Sequence, residues 1–106
     1  MIQLSKTAEQ LFVDLSHAII PNERNPRPDD TLCGMIDYEL KCMSALGKVR
    51  EEPGRGGIRR GSLIILHNNV VEGVISLSNA GYADYARRYA NRLKRIQTKY
   101  GSLYIS

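Results

Sequence analysis

A row of basic residues follows one face of a predicted helix between residues 82 and 100. Its members recur every three or four positions and are Arg88, Arg92, Arg95 and Lys99, with Arg87 and Lys94 beside them. The same stretch holds a single acid, Asp84, and so carries a net charge of +5. Residues 1–81 contain nine basic and ten acidic residues, so the chain's formal charge of +4 lies almost wholly on this one predicted helix.

Such a row indicates that the chain binds an anion. Like charges three or four residues apart on a helix repel one another, at a cost of about 0.2–0.5 kcal/mol per pair. A phosphate backbone is the commonest partner that would offset this cost. The sequence has no clear helix-turn-helix, zinc-finger or aromatic strand signature. We therefore expect contacts to the backbone that are largely indifferent to base sequence.

A second set of basic residues lies in a glycine-rich segment, residues 48–60, with a net charge of +3. We predict a loop here, because one proline and three glycines disfavour a regular element. Two interpretations stay open. Arg55, Arg59 and Arg60 form either a mobile arm that approaches phosphates, or a loop kept soluble by its charge.

Arg60 and His67 are the residues with catalytic potential, since six positions separate them. This spacing resembles the Arg-x(4–6)-His motif of the HEPN ribonucleases, which are small helical bundles. The resemblance implies that these two residues would act on RNA across a dimer. It covers two residues and the fold class, and Gly61 stands where that family usually has a polar residue.

Apolar periodicity predicts an all-α fold, a single domain over 1–106 built as a compact antiparallel bundle of about four helices. The expected helices cover about 5–20, 30–49, 62–79 and 82–100. Ser5, either Asp29 or Asp30, and Ser62 are the predicted N-caps, and Gly81 is expected to end the third helix. A pair of strands within residues 63–75 is the competing prediction, because that stretch is rich in β-branched residues.

Each helix has an apolar stripe that predicts its core face. The stripe of the last helix is Tyr85, Tyr89, Leu93, Ile96 and Tyr100, which we interpret as packing surface more than as a base-stacking platform. The other core predictions include Ile19 on the first helix, Met35 on the second and Ile75 on the third. The second helix begins with an acidic half, which could pair with the basic helix.

Several functions and locations are disfavoured by composition. Cys33 and Cys42 are nine residues apart on one predicted helix, about 13.5 Å of rise, so we expect free thiols.

No apolar run is long enough to span a membrane and no signal peptide is evident, so a cytoplasmic protein without membrane partners is expected. No metal or cofactor site is expected. Arg24 and Arg27, in a proline-rich connector, are expected to be solvated.

The leading hypothesis is a non-enzymatic protein that binds a nucleic-acid phosphate backbone inside a larger assembly, with other subunits or further copies of itself. Its architecture is similar to the small subunits of multi-subunit RNA-guided CRISPR complexes, a likeness that covers no diagnostic residues. The alternative is a protein-interaction module or inhibitor whose basic helix meets an acidic protein. The third hypothesis is the HEPN-like ribonuclease.

Overall fold

The computed structural model describes residues 3–20, 23–24, 27–28, 30–50 and 58–101, with only the backbone described at 49, 50 and 58–61. It contains four helices, α1 (Ala8–His17), α2 (Asp30–Arg50), α3 (Ile58–Asn79) and α4 (Ala83–Tyr100), and these described ranges hold no strand. The predicted all-α bundle is therefore confirmed, and the competing strand pair is excluded.

The bundle is arranged around α3, which packs against α2 on one side and α4 on the other. The first helix, α1, packs mainly on α4. Burial of the apolar faces of all four helices creates one continuous core. Its largest fully buried side chains include Leu11, Ile36, Leu40, Met43, Leu63, Val70, Val74, Leu77 and Leu93.

The first helix is shorter than predicted and has a different cap. Thr7 is the N-cap, and its side chain accepts a hydrogen bond from the backbone N–H of Gln10. The predicted cap, Ser5, instead bonds to the side chain of Asn68 on α3 through its backbone N–H and its hydroxyl. The prediction of Ser5 as the cap was wrong because a tertiary contact uses that side chain.

The third helix begins at Ile58, four residues before the predicted cap Ser62. Ser62 is therefore an interior helical residue, and the prediction that it caps the helix was wrong. Gly61 does not end the helix, because a single interior glycine costs only about 1 kcal/mol. The prediction of a loop over 48–60 was wrong at both of its ends, because α2 extends to Arg50 and α3 begins at Ile58. Residues 51–57, which include Arg55, lie outside the described ranges.

Gly81 ends α3 as predicted and reverses the chain into α4. Its φ of 93° lies in the left-handed region, which glycine adopts without a Cβ clash. The backbone N–H of Gly81 donates to the carbonyl of Ser78, and that of Tyr82 donates to the carbonyl of Leu77. This pair of bonds is the Schellman arrangement. The tight turn makes α3 and α4 antiparallel neighbours, as expected.

Three of the predicted core positions are exposed. Ile19 is 95% exposed, because α1 ends at His17 and the chain leaves the helix before the periodic pattern does. Met35 is 56% exposed on the outer face of α2, and Ile75 is 38% exposed on α3. On α4 the core instead includes Ala86 and Ala90, whose small side chains allow neighbouring helices to approach closely.

Both cysteines are free, as predicted. Cys33 is buried and Cys42 is half-buried. Within the described ranges, no helix combines the length and the hydropathy that crossing a membrane would require.

Candidate nucleic-acid interface

The helix α4 has a buried face and an exposed basic face. Tyr89, Leu93 and Tyr100 are buried, and Tyr85 and Ile96 are half-buried, so the predicted packing role of the apolar stripe is confirmed. The four residues that we call the basic row are all exposed: Arg88, Arg92, Arg95 and Lys99. From Arg88 to Lys99 the row extends over eleven residues, about 16 Å of helix.

The other two predicted contacts on α4, Arg87 and Lys94, lie on the opposite edge of the helix, against α1. The Nε of Arg87 donates to the carbonyl oxygen of Leu15 at 3.4 Å. The ammonium of Lys94 lies 4.8 Å from the centre of the Phe12 ring, a cation–π contact. Both residues are half-buried. The structure therefore does not place them beside the basic row.

The basic row borders a groove between α2 and α4, which run parallel to each other. Asp37 of α2 contacts Tyr89 and Arg92 of α4, and farther along Gly47 of α2 meets the ring of Tyr100. Residue numbers increase in the same direction on both helices between these two contacts. We call this feature the α2/α4 groove, and it contains two adjoining clefts that share Arg92.

The smaller cleft, which we call the Arg88 cleft, has a volume of about 230 Å³. It is lined by Arg27, Tyr85, Arg88, Tyr89 and Arg92. The guanidinium carbon of Arg88 lies 5.4 Å from the centre of the Tyr85 ring. Arg27 also pairs with Asp30 at 3.3 Å. Arg27 is exposed, as expected for a solvated connector residue, and the fold places it beside the basic row.

The larger cleft, which we call the Lys41 cleft, has a volume of about 510 Å³. It is lined by Asp37, Leu40, Lys41, Ser44, Arg92, Arg95 and Ile96. Lys41 is exposed on α2 and Arg95 is exposed on α4. Taken together, the linings of the two clefts contain five basic residues and one acidic residue. The groove as a whole is therefore electropositive.

Asp37 is the one carboxylate in these linings, and it joins α2 to α4. Its Oδ1 accepts a hydrogen bond from the Nη1 of Arg92 at 2.5 Å, and its Oδ2 accepts one from the hydroxyl of Tyr89 at 3.1 Å. Burial, together with the neighbouring Cys33 and Asp37, raises the pKa of Tyr89, so its hydroxyl stays protonated and donates. The expected pairing of the acidic half of α2 with the basic helix is thus confirmed at Asp37.

The remaining members of the row have no carboxylate at ion-pairing distance within the described part of the chain. Arg92 pairs with Asp37, whereas Arg88, Arg95 and Lys99 make no salt bridge with any described residue. Two of the three lie over aromatic rings, Arg88 over Tyr85 and Lys99 over Tyr100 at 5.3 Å. These three cations are accordingly available to an external anion.

His67, one half of the catalytic pair suggested by the HEPN resemblance, is fully buried in α3. Its Nε2 lies 2.7 Å from the carbonyl oxygen of Lys6. Burial lowers the pKa of His67, and the bond to Lys6 opposes that shift only in part. The backbone of Arg59 and Arg60 lies in the first turn of α3, and their side chains are not among those described. His67 is thus positioned to hold the N-terminal segment against α3.

Lys41 and Ser44 are the lining residues that sequence analysis missed. The available signal was weak, because a single lysine among the polar residues of α2 is typical of any solvated helix face. Only the placement of α2 beside α4 brings Lys41 opposite Arg95. Among the described residues, no cluster of histidine, cysteine or acidic side chains could hold a metal ion.

Comparisons of this chain with protein-family models, with curated proteins and with solved structures find no match.

Proposed function

We propose that this protein binds the phosphate backbone of a nucleic acid, without sequence specificity and without catalysis. The observation that carries the proposal is the exposed basic row, in which Arg88, Arg95 and Lys99 have no described carboxylate partner. An unpaired row of like charges is unfavourable in the free protein and becomes favourable when phosphates neutralise it. The planar guanidinium groups of Arg88 and Arg95 suit bidentate contact with phosphate oxygens.

The role fits an accessory subunit of a larger nucleoprotein assembly, with other protein subunits or further copies of the chain as partners. A backbone-binding surface about 16 Å long spans only a few nucleotides, so one copy alone would bind weakly. Several copies along one strand would gain affinity through effective concentration without any new contact. The proposal does not include Arg87 and Lys94, because their cationic groups contact α1. It retains Arg55, Arg59 and Arg60 as a second set of contacts, which is one of the two interpretations that the sequence leaves open.

The test compares two double variants on the same helix. Arg88→Gln with Arg95→Gln removes two charges from the row, and Arg87→Gln with Lys94→Gln removes two charges from the opposite edge. Three single-strand phosphate contacts, from Arg88, Arg95 and Lys99, predict a log–log salt dependence of affinity with a slope of about −2. The first variant should weaken binding to all sequences alike and flatten that slope by about 1.4. Titrations of labelled oligonucleotides at several salt concentrations measure both quantities.

The control variant should retain the wild-type slope. Thermal melts of the first variant should stay near wild type, since exposed charges contribute little to stability. Wild-type protein that shows no salt-dependent binding to single strands or duplexes would contradict the proposal. The basic row would then bind the carboxylates of an acidic protein. Arg92 already makes a contact of this kind within the chain, with the carboxylate of Asp37. Metal-independent cleavage of RNA that is lost in His67→Ala would instead support the ribonuclease hypothesis.

A further inference from the structure

The Lys41 cleft has walls from two different helices, and each wall carries a cation. Lys41 projects from α2 and Arg95 from α4, and both are exposed. Ser44 lies one helical turn after Lys41 and adds a hydroxyl group to the α2 wall. A ligand in this cleft would therefore meet hydrogen-bond donors on both of its sides, whereas the basic row alone offers donors on one.

Two contacts between α2 and α4 give the position of the cleft along the groove. Arg92 and Asp37 cross the groove at one end, and Gly47 meets the ring of Tyr100 toward the other. The ten residues from Asp37 to Gly47 correspond to about 15 Å of helix. Between these contacts the apolar surface of the lining comes from Ile96, which is half-buried, whereas Leu40 is fully buried.

Charged walls with an apolar floor match the chemistry of one part of a single nucleic-acid strand. Its phosphates are anionic, while its unstacked bases offer apolar faces to a binding protein. In a duplex the base faces are stacked inside the helix, and only the grooves and the backbone are accessible. A rigid duplex would therefore contact the rim of the groove without reaching Ile96.

We propose that the Lys41 cleft binds single-stranded nucleic acid, with phosphates held by Lys41 and Arg95 and with a base or sugar against Ile96. The hydroxyl of Ser44 donates to a phosphate oxygen. This inference rests on the proposed function and deepens it, because it names the form of the polymer and adds α2 as a second binding wall.

The experiment uses the full chain and three labelled probes of equal length: a single strand, a duplex of the same sequence, and a single strand with abasic sugars at its centre. Wild type should bind the single strand more tightly than the duplex. It should bind the abasic strand more weakly than the intact strand, because the apolar floor loses its contact. Lys41→Gln should lower single-strand affinity roughly tenfold, as expected for one charged contact, and flatten the salt slope by about 0.7.

Lys6→Gln is the matched control, since it also removes one lysine charge. Lys6 lies outside both clefts and pairs with Asp14 of α1. Its variant should bind all three probes as wild type does, and thermal melts should show that Lys41→Gln folds normally.

The inference fails if wild type binds the duplex as tightly as the single strand. It also fails if Lys41→Gln or the abasic strand leaves affinity unchanged. In either case the proposed function still stands, provided that Arg88→Gln with Arg95→Gln weakens binding. Absence of binding to every probe overturns both proposals together and points to an acidic protein partner.

Discussion

At the scale of single residues, His67 is the buried polar group on which the N-terminal segment depends. It is fully buried, and its ring contacts the Lys6 carbonyl, while the neighbouring Asn68 bonds to Ser5 and to the Gln3 carbonyl. Two consecutive side chains of α3 therefore hold the segment that leads into α1. This arrangement requires His67 to stay neutral in the folded protein, because burial disfavours the charged form of its ring.

Stability should accordingly depend on pH through His67. Because burial lowers its pKa in the folded state, the unfolded chain binds a proton more readily, beginning at about pH 6.5. The full contribution of His67 to the free energy of unfolding is present above that pH. This free energy decreases as the pH falls toward the folded-state pKa of His67. His67→Gln should flatten the dependence between pH 7 and pH 5. Urea unfolding over a pH series measures the free energy.

His17→Gln provides the matched control, since this histidine is exposed in the last turn of α1. It should keep the wild-type pH dependence. A slope that disappears in His17→Gln and persists in His67→Gln would refute the assignment. The comparison must be made between variants, because Glu39, whose pKa is raised by burial, titrates with the opposite effect on stability.

At the scale of elements, the distance between α2 and α4 depends on Gly47. A Cβ at this position would lie 2.6 Å from Cδ2 of Tyr100, whose side chain is buried against the end of α2. The absence of a side chain at Gly47 thus lets Tyr100 fill the space and bring the two walls of the α2/α4 groove together at this end.

Gly47→Ala should therefore destabilise the bundle by about 1–3 kcal/mol through overpacking. The better helix propensity of alanine should offset up to about 1 kcal/mol of that loss. Gly34→Ala, on the same helix, meets no atom within 4 Å and should stabilise the protein by roughly 0.5–1 kcal/mol. Chemical denaturation of both variants measures the contrast. Equal effects of the two substitutions would show that α2 and α4 do not meet closely at Gly47.

At the scale of the whole molecule, a small bundle with a basic face should be stabilised by the ligand that it binds. Anything that binds only the folded state adds about 2.7 kcal/mol at a free concentration 100-fold above its Kd. For a domain of this size, each kcal/mol raises the Tm by roughly 4–8 °C. A single-stranded oligonucleotide should therefore raise the Tm of wild type in proportion to the logarithm of its concentration.

The Arg88→Gln, Arg95→Gln variant should show a much smaller shift at the same strand concentration. The Arg87→Gln, Lys94→Gln variant should show the full shift from its own starting Tm. A Tm that does not respond to strand concentration in low salt would count against binding by the folded bundle. Scanning fluorimetry in a series of strand concentrations is sufficient for this measurement.

The sequence by itself determined the class of the fold and the character of α4. Apolar residues at helical spacing bury one side of each helix, so their period was enough to predict four helices and most of the core. Gly81 was readable as the end of α3 because only glycine adopts the required backbone conformation without strain. The concentration of positive charge on residues 82–100 was likewise evident from residue types alone.

Tertiary structure decided which of those charges share one surface. Arg87 and Arg88 are neighbours in sequence, yet one contacts the Leu15 carbonyl and the other lines a cleft with Arg27. Helical periodicity fixes the angle between such residues but not which helix packs beside each edge. The contribution of Lys41 could not be predicted from the sequence for the same reason, because Lys41 lines the groove only where α2 approaches α4. That approach is set by long-range contacts, which no local pattern encodes.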